Sequence, residues 1–227
     1  MQKMKVMTFN IRYAKGMDGK VCLRRVASVI ANEKPDVVAL QEVDRYFIRS
    51  GIRDQIGWLA MELEMHFCFA PSVNLRFCQY GNAFLTRAPI QSVEINYMPG
   101  STERRSVLKA YVSIYERMVS LINTHLGVVM NDRSRQLPGL LKMLKRQQSP
   151  AILLGDFNME MTNPLMKDIL DAGWHRISPL KPMATMRNGK EIDHILVNTA
   201  TSKAIAWVQE TDASDHHAVI AEIEWYN

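Results

Sequence analysis

Cysteine is scarce. Cys22, Cys68 and Cys78 are odd in number and show no CxxC spacing, which excludes a disulfide framework and a thiolate zinc site and fits a reducing compartment. Long apolar runs are missing as well: nothing approaches the roughly 20 residues that a membrane-spanning helix needs. The opening MQKMKVMTFNIR turns into a strand pattern within a few residues, leaving no room for the apolar core of a signal peptide, so a cytoplasmic protein is expected. Repeats, low-complexity tracts and linker-like stretches are likewise missing, and a single domain over residues 1–227 is the expectation. Nor is there a strong charge of either sign. Lys and Arg number 28 against 23 Asp and Glu, leaving +5, enough to suit an anionic substrate and too little to demand one. What is present is ordinary for a globular chain, with 47% hydrophobic and 22% charged residues, which excludes disorder. The 15 methionines are scattered and read as core filler.

Strand-like runs alternate with helical patterns through most of the chain. The first strand is expected over 5–11, a helix with Val26, Val29 and Ile30 at helical spacing over 23–33, and a second strand over 37–40. A helix over 54–65 leads into strand candidates at 66–70, 81–87, 90–98, 106–116 and 118–126, a meander that implies antiparallel pairing. Helical periodicity returns over 132–147 with Asp132 as N-cap candidate. Asn163-Pro164 opens another helix that Gly173 ends. Strands close the sequence at 192–198, 203–210 and 217–225. About ten strands with flanking helices predict an α/β fold of two packed sheets with helices outside, because so large a set tends to split in two.

The informative pattern is polar residues beside apolar strand. Asn10 ends the first strand, Glu42 follows VVALQ, His125 follows LINT, and Asp156 and Asn158 follow AILLG. Asp193 and His194 enter IDHILV, and Asp215, His216 and His217 precede AVIAEI. Taken alone, GDFN at 155–158 also reads as a turn, and any one of these groups reads as a satisfied core polar residue. Six segments with the same arrangement imply strand ends converging at one rim, where ligands of α/β sheets bind. The residue types fit phosphate ester chemistry, which needs a cation to neutralise charge, a positioned water and a stabiliser of the leaving oxygen. Carboxylate and amide oxygens suit Mg²⁺ or Mn²⁺, whereas zinc favours histidine and cysteine. Glu42 and Asp156 therefore read as metal ligands, His216 as an imidazole oriented by an aspartate, and Asn158 as a partner of the water or a phosphate oxygen. Arg104 and Arg105, in STERRSV, could clamp a phosphate bidentately. Lys142, Lys145 and Arg146 read as a solvated helix face.

These residues resemble the endonuclease/exonuclease/phosphatase superfamily of metal-dependent phosphodiesterases and phosphatases. The likeness runs in order through TFNIR, LQEVD, YGNAFLTR, NTHL, GDFN, IDHILV and SDHHAV, from residue 8 to residue 219, with GDFN and the late SDH the most specific pair. The resemblance implies a DNase I-like four-layer α/β/β/α sandwich of two mixed, largely antiparallel sheets. It implies that Glu42 binds Mg²⁺ or Mn²⁺ with Asn10 and Asp215, that Asp156 and Asn158 position and activate the water, and that His216, paired with Asp193, contacts the scissile phosphate. It further implies that His125 stabilises the pentavalent transition state and that Asn82 and Arg105 contact substrate. Which of Asp156 and His216 is the general base stays open at this point. His194 and His217 are read as structural, since strand neighbours face opposite ways.

Two departures bear on substrate. DNA-repair members carry an acidic residue two positions after the first asparagine, where this chain has Arg12, and TMRNGKEID holds no Trp or Tyr to stack a displaced nucleotide. The sequence also shows no aromatic hairpin of the kind lipid-directed members add. The expected activity is metal-dependent hydrolysis of an anionic phosphoester, a nucleic acid or small phosphodiester. A lipid-directed phosphodiesterase or phosphatase, similar to sphingomyelinases or phosphoinositide phosphatases, is the alternative in the same chemistry. A catalytically silent binding protein of the same fold is the alternative outside it, although every implied position holds a competent residue.

Overall fold

The computed structural model describes residues 3–147, 150–181, 183–199 and 201–225. Strands β1 (Met4–Asn10) and β2 (Val37–Arg45) are joined by helix α1 (Leu23–Glu33), and α2 (Gln55–Glu62) leads to the hairpin of β3 (His66–Asn74) and β4 (Gln79–Thr86). A meander follows of β5 (Ile90–Met98), β6 (Arg105–Ile114) and β7 (Arg117–His125), and α3 (Met130–Leu144) crosses to β8 (Ala151–Asp156). After α4 (Pro164–Asp171) come β9 (His175–Arg176), β10 (Asp193–Val197), β11 (Thr201–Gln209) and β12 (Ala218–Trp225). The strands form two six-stranded sheets, in the orders β11-β12-β1-β2-β4-β3 and β5-β6-β7-β8-β10-β9. Each contains one parallel pair, β1 with β2 and β7 with β8, bridged by a helix as parallel neighbours require.

The period of two sorts each strand's side chains. In β1, Met4 and Val6 face the other sheet, meeting Leu121, Ile152, Leu154 and Ile195 in an inter-sheet core. Met7 and Phe9 face the opposite way and pack with Val26 and Ile30 of α1 and Ile56 and Leu59 of α2. The second sheet repeats the scheme, its outer face packing Ile122 and Leu153 with Leu137 and Leu140 of α3 and Met166 and Ile169 of α4. Three apolar layers thus lie between four layers of structure, the expected α/β/β/α sandwich. No helix among the described residues is long and apolar enough to cross a membrane.

Most helix ends follow the local chemistry of the sequence. Asn163 caps α4, its side chain accepting from Leu165 N at 3.0 Å, and Gly173 follows the helix with φ 89°. Two expectations are corrected. Helix α3 starts at Met130 with Val129 as its N-cap. Asp132 lies in the first turn instead, and its carboxylate accepts from Ser101 N and Oγ at 2.8–3.1 Å, fastening the β5–β6 loop. The strand expected at 66–70 runs on to Asn74, past a register shift between Pro71 and Val73, and turns into β4 through a tight hairpin. That hairpin exposes Leu75 and Phe77, so the chain does carry an apolar, aromatic hairpin. The irregularity at Pro71 hides it, because alternation is lost where the strand continues.

Candidate active site

Pairing register builds the site. In the second sheet His125 is level with Asp156, and Asp156 with Asp193, so three polar side chains stand in a row across β7, β8 and β10. All three continue the inward-facing alternation of Leu121, Leu154 and Ile195, and so does Asn10 in the facing sheet. The periodicity that fills the core therefore delivers these groups to its mouth. Glu42 would face the helices on strict alternation. A register shift between Leu40 and Val43, with Glu42 at φ 59°, turns it toward the mouth. Gly155 is needed for the same geometry: its φ is 150°, and a Cβ there would lie 2.0 Å from Thr124 O of β7. Beyond it Phe157 is buried in the helix-side core, and Asn158, at φ 51°, turns back with its Nδ2 donating to Leu126 O at 3.0 Å.

The two sheets meet through Asn10. Its Nδ2 donates to Glu42 Oε1 at 3.1 Å and to Asp156 Oδ2 at 3.0 Å, a bond spanning 146 residues of sequence. Asn158 N donates to Asp156 Oδ1 at 2.8 Å, while His125 Nε2 and His216 Nε2 approach Asp156 Oδ2 at 3.5 and 3.8 Å. His216 Nδ1 donates to Asp193 Oδ2 at 2.9 Å, and Thr185 Oγ1 donates to the same oxygen at 2.6 Å. Arg105 Nη1 donates to His125 Nδ1 at 3.3 Å and pairs with Glu103 Oε1 at 2.7 Å. With Nδ1 accepting, the proton of a neutral His125 sits on Nε2, facing Asp156. Asp215 joins from the side, its carboxylate receiving Ser214 Oγ and pairing with Arg12 Nε at 3.3 Å, and Ser214 Oγ also stands 2.8 Å from Asn10 O.

The sequence of the Endonuclease/Exonuclease/phosphatase family matches residues 7–216. The chain belongs to this family. Its members are hydrolases acting on phosphoesters. Among solved structures, the endonuclease/exonuclease/phosphatase from Beutenbergia cavernae is similar at 25% identity and TM-score 0.85, covering 99% of this chain and 72% of that one. A family protein from Leptotrichia buccalis shares 18% identity at TM-score 0.79, covering 99% and 100%. The human Nocturnin catalytic domain, solved with a bound sulfate anion, shares 20% at TM-score 0.76, covering 99% and 95%. The latter two likenesses show the DNase I-like fold alone.

The family fold gives these groups unusual proton affinities. Burial and then the nearby Asp193 charge push the Asp156 carboxyl up to about 7. Burial works against a charged His216, but the Asp193 carboxylate, with Asp156 and Asp215 behind it, outweighs this and raises the imidazole to about 10. His216 is an imidazolium at neutral pH. His125 is held well below 6.5 by burial, by Arg105 and by His216, and stays neutral. Asp156, Asp193 and His216 place ligand atoms within 4.8 Å of one another and could hold a metal ion. The His216–Asp193 bond uses Nδ1 and Oδ2, while Asp156 Oδ2 is joined to Glu42 through the shared Asn10 amide.

Of the residues singled out in the sequence, Asn10, Glu42, His125, Asp156, Asn158, Asp193 and His216 form one cluster, with Asp215 and Arg105 at its margins. Asn82 is buried and donates from Nδ2 to Ser106 O at 2.8 Å. His194 and His217 point elsewhere, toward Met159 O and Thr211 N. Sequence reasoning missed Thr185 and a buried polar layer in which Gln41 Nε2 donates to Asn123 Oδ1 at 2.8 Å and Asn123 Nδ2 donates to Leu40 O and Ala83 O. Gln41 and Asn123 stand inside the motifs LQEVD and NTHL, a signal available in hindsight. Thr185 reaches Asp193 across a loop and had no local signal.

Proposed function

We propose that the chain is a Mg²⁺- or Mn²⁺-dependent hydrolase of phosphoester bonds, with Asp156, Asn158, His216, His125 and Asp193 as its catalytic group. The observation that carries this reading is the Asn10 bridge, which draws carboxylates from facing sheets, Glu42 and Asp156, onto one amide. Their donors are oxygens, as a hard divalent cation prefers. Three carboxylates, Asp193, Asp156 and Asp215, act on a single imidazolium, and Glu42 joins Asp156 through the Asn10 amide, an arrangement with room for one more positive charge. Glu42, with Asn10 and Asp215, would hold the ion, which when bound supplies charge neutralisation for the phosphate oxygens.

The chain's own residues do the rest. Asp156, its Oδ1 fixed by Asn158 N and its proton affinity near neutral, takes the proton of the attacking water. Asn158 Oδ1 orients that water. His216, kept cationic by Asp193 and held in place by the Thr185 bond to the same carboxylate, presents Nε2–H to a phosphate oxygen. His125, neutral with its proton on Nε2, donates toward the oxygens on which charge develops, and Arg105 fixes its ring and lies beside the same path.

The test is hydrolysis of bis-p-nitrophenyl phosphate with Mg²⁺, Mn²⁺ or EDTA. Turnover should require the metal, and Asp156→Ala should lower it by about 10²–10⁴-fold with an unchanged circular dichroism spectrum. Metal-independent turnover, or full activity in Asp156→Ala, would overturn the reading.

A further inference from the structure

The edge of the sandwich that carries the cluster is bordered by exposed apolar side chains. Ile48 and Ile52, in the loop after β2, are 86% and 64% exposed; Phe77, at the β3–β4 hairpin, is 76% exposed; Val128, three residues after His125, is 68% exposed. Single exposed hydrophobics are ordinary, but these lie on neighbouring segments of one edge. Arg45 at the end of β2 is paired with Gln79 at the start of β4, through both register and an Arg45 Nη1 bond to Gln79 Oε1 at 3.3 Å. Arg104 Nε donates to Ser72 O at 3.0 Å, linking the hairpin to the β5–β6 loop, which Asp132 fastens to the start of α3.

The border is rigid at its base. Arg49 forms a two-pronged bond to the fully buried Asp44, at 2.7 and 2.9 Å, and lies over the rings of Tyr13, Phe47 and Tyr80. Its charge pattern is one-sided. Each carboxylate in these segments is taken internally, Asp44 by Arg49, Asp54 by Arg45, Glu103 by Arg105 and Asp132 by Ser101. Arg53 and Arg76 are exposed and form no ion pair with a described residue; Arg76 lies over the Phe77 ring. Outward-facing cations interleaved with aliphatic side chains match an anionic surface with an apolar interior. Three of the four exposed side chains, Ile48, Ile52 and Val128, are aliphatic and offer no platform for a base, which favours lipid, into whose headgroup region they and Phe77 can bury.

We propose that these loops form a docking face for an anionic lipid bilayer, which would present phosphoesters to the adjoining site; the second half of this statement rests on the hydrolase reading above. Flotation with vesicles of phosphatidylcholine, alone or mixed with phosphatidylglycerol, tests it. The wild type should float with the mixed vesicles and release as salt is raised. The double variants Ile48→Ser/Phe77→Ser and Arg53→Glu/Arg76→Glu should each lower the bound fraction by at least about tenfold, while hydrolysis of bis-p-nitrophenyl phosphate in solution stays at the wild-type rate. A wild type that hydrolyses the diester but does not float overturns the docking face and leaves the hydrolase reading standing. One that floats but hydrolyses nothing does the reverse. Wild-type flotation by both variants, or binding of a single-stranded oligonucleotide in place of vesicles, also overturns the docking face.

Discussion

His194 shows how one buried position behind the site makes stability depend on pH. Its Nε2 lies 2.9 Å from Met159 O, its Nδ1 has no hydrogen-bond partner among the described residues, and its ring packs against Phe157. Burial lowers its proton affinity from 6.5 to about 4. Above pH 6.5 the ring is neutral in folded and unfolded chains alike, so it has no effect. As pH falls below 6.5 the unfolded chain takes a proton that the native state refuses, and stability is lost until about pH 4, where the native ring also protonates. Between about pH 7.5 and about pH 5 this one group should cost about 2 kcal/mol. Urea denaturation at the two pH values should show His194→Gln losing less stability than the wild type by that amount. Equal losses would mean that the ring titrates freely. The adjoining Asp193 was legible in the sequence because it enters an apolar strand; the strength of its hold on His216 was not, since that depends on burial and on Thr185.

At the scale of elements, the parallel pair β7–β8 depends on one residue. Gly155 brings β8 against β7 so closely that any side chain would meet the Thr124 carbonyl, and its backbone angle disfavours other residues. Gly155→Ala should therefore cost more than about 4 kcal/mol, read as a collapse in soluble yield or a large fall in the urea midpoint; a midpoint close to wild type would show that the strands can part without penalty. The GDFN motif was legible as a strand end carrying two functional groups, and alternation alone puts Phe157 on the face opposite Asp156, in the helix-side core. What alternation could not disclose is where it breaks. The shift before Val43 that re-aims Glu42 and the one before Val73 that prolongs β3 are settled by partner strands distant in sequence. The sequence therefore named Glu42 without explaining its direction, and placed β3 and β4 in the meander without the extension to Asn74 or the exposed Phe77 at the turn.

Across the whole molecule, the sheets are stitched beneath the site by the Gln41–Asn123 layer. Asn123→Leu would leave Gln41 and two strand carbonyls without their donor or acceptor, and should lower stability by about 3 kcal/mol in urea titrations; a change below about 1 kcal/mol would show water replacing the lost bonds. The architecture was legible because strand count, helix spacing and polar strand ends agreed with one another. The cross-sheet contacts were not, because they join residues such as Asn10 and Asp156 that no local pattern relates. The strand β1, near one end of the sequence, pairs with β12, so that Met4 stands opposite Ile223, and His216 lies just ahead of β12. During translation β1 leaves the ribosome early and waits for a neighbour encoded more than two hundred codons later. Until then neither His216 nor the flanking strand is in place, so the grouping of Asn10, Asp156 and His216 forms only after β12 has been made.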